Sequence, residues 1–275
     1  MKKIHTKNHL IIHSVLLIGS VIMIMPFIWM ILTAIKTLPE STMVPPILWP
    51  KVAQWHNFPE ILAKLPFMAF YVNTGLMIVG RVFFALLFSS MAAYAFARID
   101  FPCRNLLFSV VLIQMMIPSQ IFITPQFLLA QKLGMLDTIP GLILPGLVSA
   151  FGTFLLRQFF MSLPDELEEA AILDGCNIWQ IFYKIMLPLA KSGLVALGIF
   201  TALFAFKDLM WPLIVNISED KMPLSAGLAT LQGQYSTNFP ELMAGSLLAI
   251  WPMLLIFMLF QKKFIEGIAT SGGKL

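Results

Sequence analysis

The chain has 275 residues, 59% of them hydrophobic and only 12% charged, with a mean hydropathy of +0.85. A soluble globular domain carries about 25% charged residues, so this composition excludes an ordinary soluble protein and reads as a membrane protein. The net charge of +4 fits orientation in a bilayer better than nucleic acid, and two cysteines in predicted cytoplasmic loops, Cys103 and Cys176, suit neither a disulfide nor a metal site.

In chain order, residues 1–9 form a polar, basic N-terminus. His5, His9 and His13 share one face if it is helical. No acid or cysteine completes a metal set there, which favours interfacial histidines at a helix start. The apolar run 10–35 lacks a small-residue cleavage site and reads as a retained first span. Residues 36–69 form an external loop bearing Pro45, Pro46, Trp49, Pro50 and Trp55, with Trp typical of the interface. Residues 70–261 hold spans 2 to 6. Span 2 (about 70–97) carries the small-residue ladder Ser89, Ala93, Ala97, which lets helix backbones approach. Span 3 (about 106–130) is interrupted by Pro118 and Pro125, and 132–138 is an external turn. Span 4 covers about 140–160, span 5 about 189–215 and span 6 about 242–260. Pro212 and Pro252 are expected to kink the last two. Residues 216–241 lie outside, and 262–275 form a cytoplasmic tail. The fold class is therefore an all-α membrane protein of six transmembrane helices.

Six spans put both termini on one side. That side holds Lys2, Lys3, Lys7, Arg98, Arg104, Arg157, Lys184, Lys191, Lys262, Lys263 and Lys274, which is 11 of the 18 Lys and Arg. The other side holds five, leaving Arg81 and Lys207 within spans. The positive-inside rule places both termini in the cytoplasm. Arg81, Lys207 and Asp208 each cost about 2.5–3.5 kcal/mol in hydrocarbon and should face protein or water. By helix rise Arg81 and Asp208 both lie roughly 12–16 Å below the outer surface. Either they pair, or each points separately into an aqueous pathway or a partner. Asn73, Gln120 and Trp211 join them as candidates for the lining of a solute route.

Between spans 4 and 5 lies a polar island, 162–188. Five carboxylates fall from Asp165 to Asp174. Ser162 with Asp165 reads as a capping box, the acids suit a helix start, and Gly175 suits the position just past its end. A second short helix puts Ile178, Ile181, Phe182 and Ile185 on one buried face, and Pro188 forces a turn. The result is a helix-turn-helix elbow outside the bilayer. Ala170 and Ala171 would let a partner approach, Glu169 would offer it a carboxylate, and Gly175 would fix the bend. An amphipathic loop lying on the membrane surface is the other reading of the composition.

Glu169, Ala170, Ala171, Gly175, Ile185, Leu187 and Pro188, at that spacing, resemble the EAA loop of permease subunits in bacterial ATP-binding-cassette importers. Further pieces resemble the carbohydrate branch and its smaller, six-span, maltose-type subunit: Ala92 to Arg98 with Phe101-Pro102, Leu133 to Thr138, Phe154 to Phe160, Trp211 to Val215, Leu231 to Tyr235, Met243 to Gly245 and Phe260 to Phe264. Arg81, the Lys207-Asp208 pair and the tail from Thr270 to Leu275 depart from that pattern. The resemblance implies a transport subunit rather than an enzyme, in the bacterial inner membrane. It implies a second permease of related fold, two ATPase subunits that dock on the elbow, and an extracytoplasmic sugar-binding protein facing 216–241. ATP and Mg would sit on the ATPase subunits, since this chain has no Gly-rich phosphate loop and binds no cofactor. An importer for a non-sugar solute, such as a phosphorylated polyol or amino acid, stays open. An ion-coupled secondary transporter would need midplane acids, and only Asp208 qualifies.

Overall fold

Among the described residues three helices are long and apolar enough to cross a membrane, or up to six if each of three bent helix pairs counts as one span. The computed structural model describes residues 2–233 and 237–272, with side chains for 12–233, 237–258 and 261. The side chains of His5, His9, Lys262 and Lys263, the Gln234-Tyr235 pair and the end of the tail therefore lie outside the described residues. Among the described residues there is no strand, only an isolated bridge between Gln232 and Thr237. The chain forms two units, 1–66 with 228–252 and 67–227 with 253–275.

The first unit begins with α1 (Lys2–Ala34). Its apolar stretch Ile12–Ala34 is only 6% buried, so nearly all of that hydrocarbon faces away from the chain. The loop after α1 is built from caps. Thr37 and Glu40 make a reciprocal capping box over Leu38–Ser41. The Asn57 amide donates to Ala34 O at 2.8 Å and Lys36 O at 3.1 Å, satisfying carbonyls that a helix end leaves open. Lys36 is buried, donates to Ile47 O at 2.6 Å and lies 4.7 Å from the Trp29 ring centroid. Burial pushes its ammonium pKa down, against the pull of Glu40.

The second unit is organised on α2 (Phe67–Arg98). It continues through α3 (Arg104–Met116), α4 (Ile123–Lys132), α5 (Ala150–Met161), α6 (Glu166–Leu173), α7 (Lys191–Lys207) and α8 (Met210–Val215). The last long helix is α9 (Phe239–Gly272), with Pro252 inside it. Two apolar clusters sit at different heights on α2. One joins its Met77 to Ala130, Leu142, Trp211 and Val215. The other joins Ala93 and Tyr94 to Leu156, Phe160, Ala171, Ile181, Phe182, Met186 and Leu197. The ladder face packs on α5: Ser89 and Ala93 are fully buried, and Ser89 Oγ donates to Ser149 O at 3.3 Å.

The proline expectations need correcting. Span 3 bends by 102° between Arg104–Met116 and Ser119–Lys132, at Pro118 alone. Pro125 sits in the first turn of α4, where no donor is missed. Span 5 breaks between α7 and α8, at Asp208 and Leu209, and Pro212 again occupies a first turn. A proline in sequence marks a missing donor, but the break falls where that donor would have been needed.

Candidate functional site

The elbow starts with α6. Ser162 does not cap it: its hydroxyl donates back to Phe159 O at 2.8 Å, and it serves as the C-cap of α5. Asp165 holds the N-cap position without a side-chain cap, because its carboxylate is engaged by Arg98. The helix ends as expected at Gly175, which has φ +81°. Its N–H donates to Ile172 O at 3.0 Å and the Cys176 N–H donates to Ala171 O at 2.9 Å, the paired bonds of a Schellman ending.

The second arm differs from the expected α-helical face. Ile178 is exposed while Met186 is buried. Residues Ile181–Met186 are a π-helix, with the Leu187 N–H bonded to Phe182 O. The extra residue in that turn moves the buried set from i+4 to i+5, so Ile181, Phe182, Met186 and Ala190 face the core. Pro188 continues this arm. The 75° bend comes after it, between Ile178–Leu189 and Lys191–Lys207.

The seven motif residues divide between two faces. Glu169, Ala170, Gly175 and Pro188 are exposed, and Leu173 beside them is 89% exposed. Ala171 is buried in the core, with Ile185 and Leu187 packed against it. Only Ala170, then, is open to close approach; Ala171 lies about 100° further round the helix and turns inward. The elbow's internal ion pairs use Asp165 and Glu168, both with Arg98, which leaves Glu169 at the surface. Burial pushes the Glu168 carboxyl pKa up, opposed by Arg98 and by the Tyr94 hydroxyl.

The intramembrane candidates come together in part. Arg81 Nη1 lies 2.8 Å from Asp208 Oδ2 and its Nε donates to Leu142 O at 2.8 Å. One guanidinium on α2 thereby meets the end of α7 and the short helix Ile139–Ile143. Close packing explains how it fits: a Cβ at Gly146 would come within 2.4 Å of Arg81 Cγ. Arg81 Nη2 is buried without a hydrogen-bond partner. Trp211 adjoins the pair, its N–H reaching Asp208 Oδ1 at 3.4 Å and its Nε1 donating to Gly141 O at 2.9 Å. Lys207 and Gln120 are exposed and outside this group. Asn73 is buried, and its amide nitrogen bonds Asp220 O at 2.8 Å and Met222 O at 3.0 Å, fastening the 216–224 loop to α2.

Two anchoring groups escaped the sequence reading. Asp137 accepts from the Ile217 and Ser218 N–H groups, each at 3.0 Å, and from the Ser218 hydroxyl at 2.5 Å. Burial works against its charge, yet these bonds and Lys221 hold its pKa below the usual value. Its left-handed φ of 58° is one that Asp tolerates, and Gly134, three residues earlier, was the available signal for a tight turn. Arg98 entered as a cytoplasmic charge and as the end of a family-like stretch, not as an anchor. Its place at the last turn of a helix, where cations meet open carbonyls, was the clue.

The chain is helical and largely apolar, with a two-arm polar elbow between its fifth and seventh numbered helices. Residues 85–269 match the family described as binding-protein-dependent transport system inner membrane component, and the chain belongs to it. An arabinooligosaccharides transport system permease protein of Halalkalibacterium halodurans is 44% identical over 193 residues, 70% of this chain and 69% of that protein. A diacetylchitobiose uptake system permease protein of Streptomyces coelicolor is 32% identical, covering 94% of this chain and 87% of its own. At 32% identity, an sn-glycerol-3-phosphate transport system permease protein of Pectobacterium atrosepticum covers 94% and 95%. Among solved structures, a bacterial ABC transporter that imports the acidic polysaccharide alginate has a chain matching at TM-score 0.78 and 24% identity, covering 94% of this chain and 97% of that one. The permease fold is shared with it.

Proposed function

We propose that this permease subunit forms half of the route for an oligosaccharide, in the inner membrane, with six spans and both termini in the cytoplasm. The 44% identity to an arabinooligosaccharide permease carries the substrate class. The bent pairs in spans 3 and 4 and the apolar helix Lys191–Lys207 beyond the elbow support six crossings, and the Lys and Arg bias supports the orientation. Its partners are a second permease of related fold, two ATPase subunits holding ATP and Mg, and an extracytoplasmic binding protein that meets 216–241. Exposed Glu169, Ala170 and Leu173 suit docking into an ATPase cleft, with Gly175 setting the angle of the arm. ATPase closure moves the elbow, and the spans it is joined to re-open outward.

The test is uptake by the complex reconstituted with its binding protein. Labelled arabino-oligosaccharide should accumulate with ATP inside and without a proton gradient; uptake that follows the gradient and ignores ATP refutes the reading. Resemblance to the sn-glycerol-3-phosphate permease at 32% identity favours a second substrate class, and competition between the two solutes decides between them. Orientation is read from the native thiols: Cys103 is exposed, so an impermeant maleimide should label it only from the cytoplasmic face.

A further inference from the structure

We infer that Arg98 and Arg157 form a reciprocal clasp that joins α2, α5 and the elbow into one moving body, with Arg98 setting the angle of α6. This rests on the coupling role proposed for the elbow. Arg98 is the last residue of α2, and its side chain is 7% exposed. It donates to Phe160 O through Nη2 at 2.6 Å and Nε at 3.2 Å. Nη2 also donates to Leu163 O, and Nη1 to the Asp165 carboxylate. Arg157, on α5, returns the contact. Its Nε donates to Phe96 O at 3.1 Å and its guanidinium carbon lies 4.1 Å from the Phe108 ring centroid on α3.

Each arginine thus binds carbonyls at the C-terminal end of the other's helix. The last carbonyls of a helix have no intrahelical partner and carry its negative end, so a planar, five-donor cation is the group suited to tie two such ends together. The link from α5 to α6, residues 162–165, holds no helix and would act as a hinge by itself. Arg98 holds α5 just before it at Phe160, the link's middle at Leu163 and its end at Asp165. Glu168, one turn into α6, is 4.0 Å from the same Nε. A push on α6 therefore reaches α2 directly, and through Arg157 it reaches α3 too.

The clasp is a positioning device, so its test separates motion from stability. Spin labels go at Asp100 and Ile172, both exposed, in the assembled transporter with Cys103 and Cys176 replaced by Ser. In the otherwise native complex the distance distribution should be narrow and unchanged by ATP. With Arg98→Ala it should broaden and shift with ATP, and stimulation of ATPase activity by the loaded binding protein should fall about tenfold or more. Arg157→Ala should act in the same direction and Arg98→Lys should recover part of the loss. Asp165→Asn should change stimulation by no more than about twofold, since that ion pair is exposed on the Asp side. A native distance that shifts with ATP overturns the inference. So does an Arg98→Ala complex with a narrow distribution and full stimulation. If Arg98→Ala fails to assemble, Arg157→Ala and Arg98→Lys carry the same two readouts. The combined Glu169→Ala, Gly175→Ala variant tests the underlying reading separately. Unchanged ATPase association there sinks the coupling role itself, whereas lost association with intact Arg98→Ala coupling sinks only the clasp.

Discussion

Gly175→Ala isolates the backbone contribution to the elbow. A Cβ at Gly175 would meet nothing within 4 Å, so no side-chain clash enters. The cost is that of holding an L-residue at φ +81°, about 1–2 kcal/mol. Loss of glycine's freedom in the unfolded chain returns about 0.4–1 kcal/mol. The net is about 1 kcal/mol, or roughly a fivefold shift in local opening. Hydrogen exchange on a peptide covering 170–178 reads this at the Cys176 N–H, which is bonded to Ala171 O. Gly175→Asn should fall between, because Asn enters the left-handed region more readily. Gly198→Ala is the control of opposite sign. It lies within α7, its Cβ would find Val82 at 3.7 Å and Leu86 at 3.8 Å, and the helix should gain about 0.5–1 kcal/mol. Unchanged exchange in Gly175→Ala, or equal loss in Gly198→Ala, would refute the reasoning.

Asp208→Ala leaves the buried Arg81 guanidinium without its counter-ion and should cost about 3–5 kcal/mol in the thermal stability of the purified complex. Arg81→Met with Asp208→Ala should cost less than the two single changes added, by about 1–3 kcal/mol; additive losses rule out coupling. Glu168 carries a raised pKa, so the folded elbow holds its proton where the unfolded chain has lost it. Stability of the elbow should therefore fall as pH rises from the unfolded carboxyl value through the folded one. Glu168→Gln should remove that slope, visible as exchange at α6 followed against pH. Asp137 has the opposite shift. Its contribution is present above the unfolded pKa and is lost as pH falls through the folded one. Asp137→Ala should free the Ile217 and Ser218 N–H groups and speed their exchange at neutral pH, with an expected cost of about 1–3 kcal/mol.

Much of the elbow was legible because its signals are local. Gly175 predicts a left-handed ending from a steric rule that involves one residue. The acids from Asp165 to Glu169 predict a helix start from the field of that helix alone. The Arg81–Asp208 contact was one of two open alternatives, reachable because burying either charge alone is so costly. The second arm was misread at Ile178, and Met186 was left off its buried face, since a π turn changes the period on which any face assignment rests. Ser162 was misread because a cap depends on which chain end lies closest, and Arg98 had already taken Asp165.

Composition alone pointed to a bilayer, and the acids and glycine between Asp165 and Gly175 pointed to a short helix with a left-handed ending. Both follow from terms that add residue by residue. Which alanine of the pair faces out, where span 5 breaks, and which carbonyls Arg98 and Arg157 hold were decided only by tertiary packing. Those contacts join residues 62 and 127 positions apart, as in Arg98 with Phe160 and Arg81 with Asp208. At such separation the partner is chosen by how two helices settle against α2, a property of the packed whole that no local pattern encodes.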